Sequence, residues 1–180
     1  MCGIFGVLRK EGIDKNELFK AAKKCQHRGP DNTSDLFLTY NDYKLYLIFH
    51  RLSINGIDEN SNQPIQVNNV TVICNGEIYN YKELAKVYNI KLKTNSDCEI
   101  IPHLYNLMGI QFIKLLDGVF TFLLFDANNG LIYIGHDPIG IRSGYMIKND
   151  YELSVASEMK SLTNITCLLY TSDAADERLG

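Results

Sequence analysis

Three short polar reversals constrain what this chain can fold into. Leu36–Tyr40 and Tyr43–His50 flank Asn41-Asp42, Val119–Asp126 and Leu131–His136 flank Asn128-Asn129-Gly130, and Tyr145–Ile147 and Glu152–Val155 flank Asn149-Asp150. Strand-forming runs joined by a few Asn, Asp or Gly residues predict β-hairpins, because those residues adopt the turn conformations that antiparallel neighbours need. A parallel neighbour would need a crossover of roughly a dozen residues or more. Residues 3–8 and Val70–Cys74 read as further buried strands, the second running into Asn75-Gly76. Asn16–His27, Tyr81–Tyr88 and Cys98–Met108 have helical spacing, and Arg28-Gly29-Pro30-Asp31 ends the first. Strands in runs, with helices between the groups, predict an α+β fold with antiparallel sheets rather than alternating βαβ units.

Bulk properties narrow the function. At 180 residues the chain fits one domain with a sizeable core. Its net charge is −3 and its basic residues are scattered, so no electrostatic case exists for nucleic acid. The apolar stretches are too short to span a membrane, and no signal peptide is visible. The cysteines are Cys2, Cys25, Cys74, Cys98 and Cys167, with no CxxC spacing, so neither a zinc site nor a disulfide framework is indicated. A reduced, cytoplasmic setting is expected. Neither GxGxxG nor GxxxxGK[ST] occurs.

The chemistry starts at Cys2. Removal of Met1 leaves a thiol and a free α-amine on neighbouring carbons. A free thiol has a pKa near ~8.5 and an α-amine near ~7.7–8.0, so the amine is a suitable base for the thiol near neutral pH. The plain alternative is a small buried residue that happens to stand second. Asn75-Gly76 reads as a tight turn, or as an oxyanion hole made of the Asn75 amide and the Gly76 N–H. Arg51, at a strand end, is a solvated charge or a bidentate clamp for a substrate carboxylate. Ser96 or Asp97 is a helix cap, or Asp97 receives a substrate ammonium. Arg51 and Asp97 together suit the two charged groups of a free α-amino acid.

Nine segments carry a resemblance: MCGIFGV at 1–7, HRGPD at 27–31, HRLSI at 50–54, QPI at 63–65, CNGEIYN at 74–80, SDCE at 96–99, LDGVFTFLLFD at 116–126, DPIGIR at 137–142 and ASEMKSL at 156–162. In this order and spacing the chain resembles the glutaminase domain of class II glutamine amidotransferases, and within them the glutamine-hydrolysing asparagine synthetases. The resemblance implies an N-terminal-nucleophile hydrolase, a four-layer α/β/β/α sandwich with two antiparallel sheets. It implies hydrolysis of L-glutamine through a Cys2 thioester, with Asn75 and Gly76 as the oxyanion hole. Arg51 matches the carboxylate clamp, and Glu77 and Asp97 match contacts to the amine end. Leu52, Ser53, Ile54 and Asn55 are expected to line the pocket, mainly through backbone. No metal or cofactor is expected for this half. ATP and Mg²⁺ belong to a synthetase domain, the expected partner, whose phosphate loop is not in this sequence. The rival readings are the glutaminase half of another amidotransferase and a non-catalytic module of the same fold.

The sequence departs from the family pattern at His136 and at Ser143-Gly144. These changes touch a loop expected to face the partner domain. His136 reads as a strand-end residue without special role. The amidotransferase domain is expected over 1–165, and 166–180 reads as a non-family tail, artefactual or disordered.

Overall fold

Side chains that alternate along each strand sort this chain into layers. The computed structural model describes residues 1–10, 12, 14–54, 59–163 and 165. Its strands are β1 (Gly3–Arg9), β2 (Asn32–Tyr40), β3 (Tyr43–Arg51), β4 (Ile65–Val67), β5 (Val70–Ile78), β6 (Gly118–Asp126), β7 (Leu131–His136), β8 (Tyr145–Lys148) and β9 (Glu152–Ala156). Its α-helices are α1 (Lys15–Lys23), α2 (Tyr81–Val87) and α3 (Ile100–Met108). All strand pairs are antiparallel, in a five-stranded sheet β2-β3-β1-β9-β8 and a four-stranded sheet β4-β5-β6-β7.

Three apolar clusters follow from the period of two. Ile4, Leu45, Leu47, Phe49 and Val155 of the first sheet meet Ile73, Leu123 and Phe125 of the second, which makes the inter-sheet core. Phe5, Val7, Tyr46 and Ile48 point the other way, onto Leu18, Ala21 and Ala22 of α1. Val70, Val72, Cys74, Phe120, Phe122 and Leu124 pack on Leu84 of α2 and on Ile100, Ile101, Leu104 and Tyr105 of α3. The order helix, sheet, sheet, helix is the expected four-layer sandwich.

The three hairpins form where the sequence places them, and β2–β3 closes with Tyr40 opposite Tyr43. Two local expectations change, and one strand is added. First, α1 ends at Lys23 rather than continuing to His27, and Gln26–Arg28 is a separate 3₁₀ turn. The break turns the chain tightly onto β3, where a Cβ on Gly29 would lie 2.2 Å from the His50 carbonyl oxygen. At its start α1 is capped by Asp14, whose carboxylate accepts from the N–H of Asn16 at 2.8 Å. Second, β5 does not stop at Cys74. It runs through Asn75-Gly76 to Ile78, so this Asn-Gly is strand and not turn. Gly76 lies opposite Phe120, and a Cβ there would meet the Phe120 Cβ at 2.5 Å, so a close strand contact requires the glycine. Third, β4 had no sequence forecast. It is set by Gln63, whose side chain accepts from the Cys74 N–H at 2.6 Å and donates to the Cys74 carbonyl at 3.0 Å.

The loop after β7 is tied by one carboxylate. Asp137 accepts from the backbone N–H groups of Phe120, Ile139, Gly140 and Ile141 at 2.8–3.2 Å. Burial pushes its pKa up, but these four donors outweigh burial and hold it below the ordinary value. A depressed folded pKa gives stability that is present above the unfolded value, near ~3.9, and lost as pH falls through the folded one. Asp137→Asn keeps the size but replaces one acceptor oxygen by a donor. We expect it to cost about 2–3 kcal/mol at pH 7, read as a lower urea midpoint at unchanged slope. The gap between variant and wild type should close in acid, below pH ~4.

Candidate active site

One end of the sandwich opens into a cleft of about 530 Å³, counting the open solvent at its mouth, lined by Met1, Cys2, Phe49, Arg51, Leu52, Ile54, Ser61, Gln63, Asn75, Gly76, Glu77, Ser96 and Arg142. The topology explains this meeting. β1 and β3 run antiparallel with Gly3 opposite His50, so the residues just beyond, Cys2 and Arg51, share one end of the first sheet. The second half of β5 brings Asn75, Gly76 and Glu77 to the same end of the second sheet.

Cys2 is half-buried, and its sulfur receives the Leu52 N–H at 3.4 Å. Burial pushes the thiol pKa up; the Leu52 N–H, the N-terminal ammonium and Arg51 pull it back in part, against Cys74. The thiol therefore needs a base to react near neutral pH. Its carbonyl accepts from Arg28 Nε at 3.0 Å, which fixes the start of the chain. Arg28 in turn pairs with Glu158 at 3.3 Å.

Asn75 is 2% exposed, and its side-chain Nδ2 has no hydrogen-bond partner among the described residues. A buried donor without an acceptor costs roughly 1–3 kcal/mol, so its persistence at a cleft calls for a functional account. Arg51 is 5% exposed, which removes the reading of a solvated surface charge, and its Nη1 donates to Asn62 Oδ1 at 2.7 Å. It has further interactions as well.

Asp97 stands behind the lining rather than in it. One of its oxygens accepts from the Ile78 N–H at 2.6 Å, and its neighbour Ser96 is the residue that reaches the cleft. Burial raises the Asp97 pKa, and the nearby Glu77 adds to the rise. The cap alternative does not hold for Ser96, since no side-chain cap bond forms there. The Ser96 loop is instead closed by Glu99, which accepts from the N–H groups of Lys93 and Thr94 at 2.8 and 2.7 Å. Of the Leu52–Asn55 segment, Leu52 and Ile54 line the cleft. The N–H of Ser53 donates to Asp31 at 2.7 Å, and Ser53 is not among the lining residues. Asn55 lies outside the described residues, as does the tail segment 166–180.

Five lining residues had no place in the expected site: Phe49, Ser61, Gln63, Ser96 and Arg142. The motifs of Gln63, Ser96 and Arg142, namely QPI, SDCE and DPIGIR, were visible, but nothing in them says which side chain turns inward; Phe49 and Ser61 lie outside the motifs. His50, which shares a motif with Arg51, is a structural histidine. Its Nε2 bonds the Ala22 carbonyl at 3.0 Å, and burial lowers its pKa. His136 ends β7, and its Nδ1 lies 2.6 Å from the Asp137 carbonyl oxygen. Among the described residues no cluster of His, Cys, Asp and Glu could hold a metal ion, and no helix is long and apolar enough to cross a membrane.

The glutamine amidotransferase domain family matches residues 1–177. The chain belongs to this family. Among curated proteins, this amidotransferase domain is 36% identical over 172 residues to asparagine synthetase [glutamine-hydrolyzing] 1 of Arabidopsis thaliana, covering 91% of the chain and 28% of that protein. It is 36% identical over 170 residues to asparagine synthetase [glutamine-hydrolyzing] 2 of Bacillus subtilis, covering 90% of the chain and 22% of that protein. The chain thus spans between 22 and 35% of the length of the first curated relatives it matches. A solved B. subtilis structure, a glutamine phosphoribosylpyrophosphate amidotransferase complexed with ADP and GMP, superposes with a TM-score of 0.72 at 19% identity, over 89% of the chain and 43% of that protein. At that identity the likeness speaks for the amidotransferase domain's fold alone.

Proposed function

We propose that this amidotransferase domain hydrolyses L-glutamine to L-glutamate and ammonia, with Cys2 as nucleophile, as the ammonia-supplying part of a cytoplasmic asparagine synthetase. The observation that carries the reading is the unpartnered Asn75 Nδ2 in the same cleft as the Cys2 thiol. A nucleophile and a waiting donor are the two parts that acyl transfer needs.

Loss of Met1 frees the Cys2 amine, which takes the thiol proton. The thiolate attacks the side-chain amide carbon of glutamine. The S–C bond forms, and the carbonyl π pair moves onto oxygen, where Asn75 Nδ2 and the Gly76 N–H donate to it. When that pair returns, the C–N bond breaks and the nitrogen leaves as ammonia with the proton held by the amine. Water, deprotonated by the same amine, then attacks the thioester, releasing glutamate and the thiol. Nucleophile, base and donors all come from the chain, so the step draws on no metal or cofactor. Arg51 receives the α-carboxylate as a planar fork. Glu77 in the lining, with Asp97 behind it, supplies negative charge for the α-ammonium. ATP and Mg²⁺ serve aspartate activation in the synthetase domain that we assign as partner.

The test is to incubate the purified 180-residue chain with glutamine, ATP, Mg²⁺ and aspartate. We expect glutamate and ammonia in equal amounts, and neither AMP nor asparagine. No glutamate above the uncatalysed rate would end the glutaminase reading, and ATP-dependent asparagine would end its restriction to the ammonia-producing part.

A further inference from the structure

The cleft holds a second buried donor that the reaction above does not use. Arg142 lines the cleft, and its Nε is buried with no hydrogen-bond partner among the described residues. The other arginines of the described residues are engaged: Arg9 with Glu152 at 2.6 Å, Arg28 with Glu158 at 3.3 Å, and Arg51 with Asn62 at 2.7 Å. No ion pair to Arg142 forms among the described residues. A buried guanidinium N–H without an acceptor costs free energy, which an anion entering the cleft would recover.

The position of Arg142 tells which anion. Asn75 lies opposite Thr121 across β5 and β6, and the Thr121 hydroxyl donates to the Arg142 carbonyl. The Arg142 backbone is therefore fastened beside Thr121, the residue opposite Asn75, and its side chain lines the same cleft as Asn75. The loop on either side is also fixed, by Asp137 before it and by the Ser143 hydroxyl, which donates to the Ser157 carbonyl at 3.0 Å, after it. The negative charge that develops beside Asn75 is that of the attacked amide oxygen. We propose that Arg142 is a further catalytic residue, whose guanidinium donates to the oxyanion of the tetrahedral intermediate alongside Asn75 and Gly76. This rests on the glutaminase reading.

The experiment compares wild type, Arg142→Gln and Arg142→Lys by glutamine kinetics, by the pH dependence of iodoacetamide alkylation of Cys2, by melting temperature, and by inhibition with glutamate γ-semialdehyde. That aldehyde adds the thiol to form a tetrahedral adduct whose oxygen occupies the oxyanion position. In Arg142→Gln we expect kcat to fall about 10²-fold with KM unchanged. Semialdehyde affinity should fall in parallel, while alkylation and melting stay as in wild type. Arg142→Lys should recover part of kcat, because the charge returns without the planar fork. Unchanged kcat in Arg142→Gln overturns the proposal. A raised KM with kcat intact also overturns it, since Arg142 then binds the substrate carboxylate. A fall in melting temperature that Arg142→Lys restores without restoring kcat makes the residue structural and overturns it too. Wild type that releases no glutamate overturns instead the glutaminase reading beneath it.

Discussion

Cys2→Ala will reduce glutamine hydrolysis to background while the melting temperature stays close to wild type. The activity half follows from the mechanism: without the sulfur no thioester forms, and removal of a nucleophile that acts as one unit with its base has cost on the order of 10⁶ in kcat elsewhere. The stability half follows from position. Cys2 stands just ahead of β1, half-buried against the edge of the inter-sheet core. Its sulfur makes only weak contacts, at 3.4 and 3.6 Å, to the Leu52 backbone. Losing one sulfur at a half-exposed edge should cost no more than about 1 kcal/mol. A second measurement separates the base from the nucleophile. Met1 is 50% exposed in the cleft mouth, within reach of an aminopeptidase. Burial holds the thiol pKa up, so activity should scale with the fraction of molecules that have lost Met1. Full activity in protein whose mass retains Met1 would falsify the role of the α-amine.

Much of this fold was legible because its signals are local. Hairpins are written in a few adjacent residues, and the Asn41-Asp42, Asn128-Asn129-Gly130 and Asn149-Asp150 links were read correctly from them. Helix ends were less legible. Nothing between Lys23 and His27 breaks a helix by propensity; what breaks it is the distant backbone of His50, against which Gly29 must lie. The strand identity of Asn75-Gly76 was hidden for the same reason. Asn-Gly favours a turn on its own, and here it is held extended by β6 and, from Cys74, by Gln63. The cleft divides similarly. Residues with distinctive chemistry in recognisable motifs, Cys2, Arg51, Asn75 and Glu77, come together as expected. Asp97 stands one residue behind Ser96, a difference of side-chain direction in a 3₁₀ turn that spacing alone does not encode. Arg142 was visible as a letter in DPIGIR, but its buried Nε without a partner among the described residues is a three-dimensional fact.

Asn75→Ala should move activity and stability in ways that separate its two readings. As an oxyanion donor, Asn75 acts when the substrate carbonyl turns tetrahedral, so kcat should fall about 10²–10³-fold, or roughly 2.7–4 kcal/mol, with little change in KM. Stability should not fall with it. The side-chain nitrogen has no partner among the described residues, so truncation breaks no bond of that atom there and removes a buried, unsatisfied donor. The small cavity left next to the cleft opposes this gain. The net change should lie within about 1 kcal/mol of wild type, and its sign can be stabilising. A side chain kept for structure would give the reverse pattern, a loss of several kcal/mol in urea unfolding with near-normal turnover of the folded fraction. Measuring kcat and the urea midpoint on the same preparation decides between them. The double variant with Arg142→Gln adds a further constraint. If both side chains donate to one oxygen, their effects on kcat should be less than multiplicative, while two independent sites would multiply.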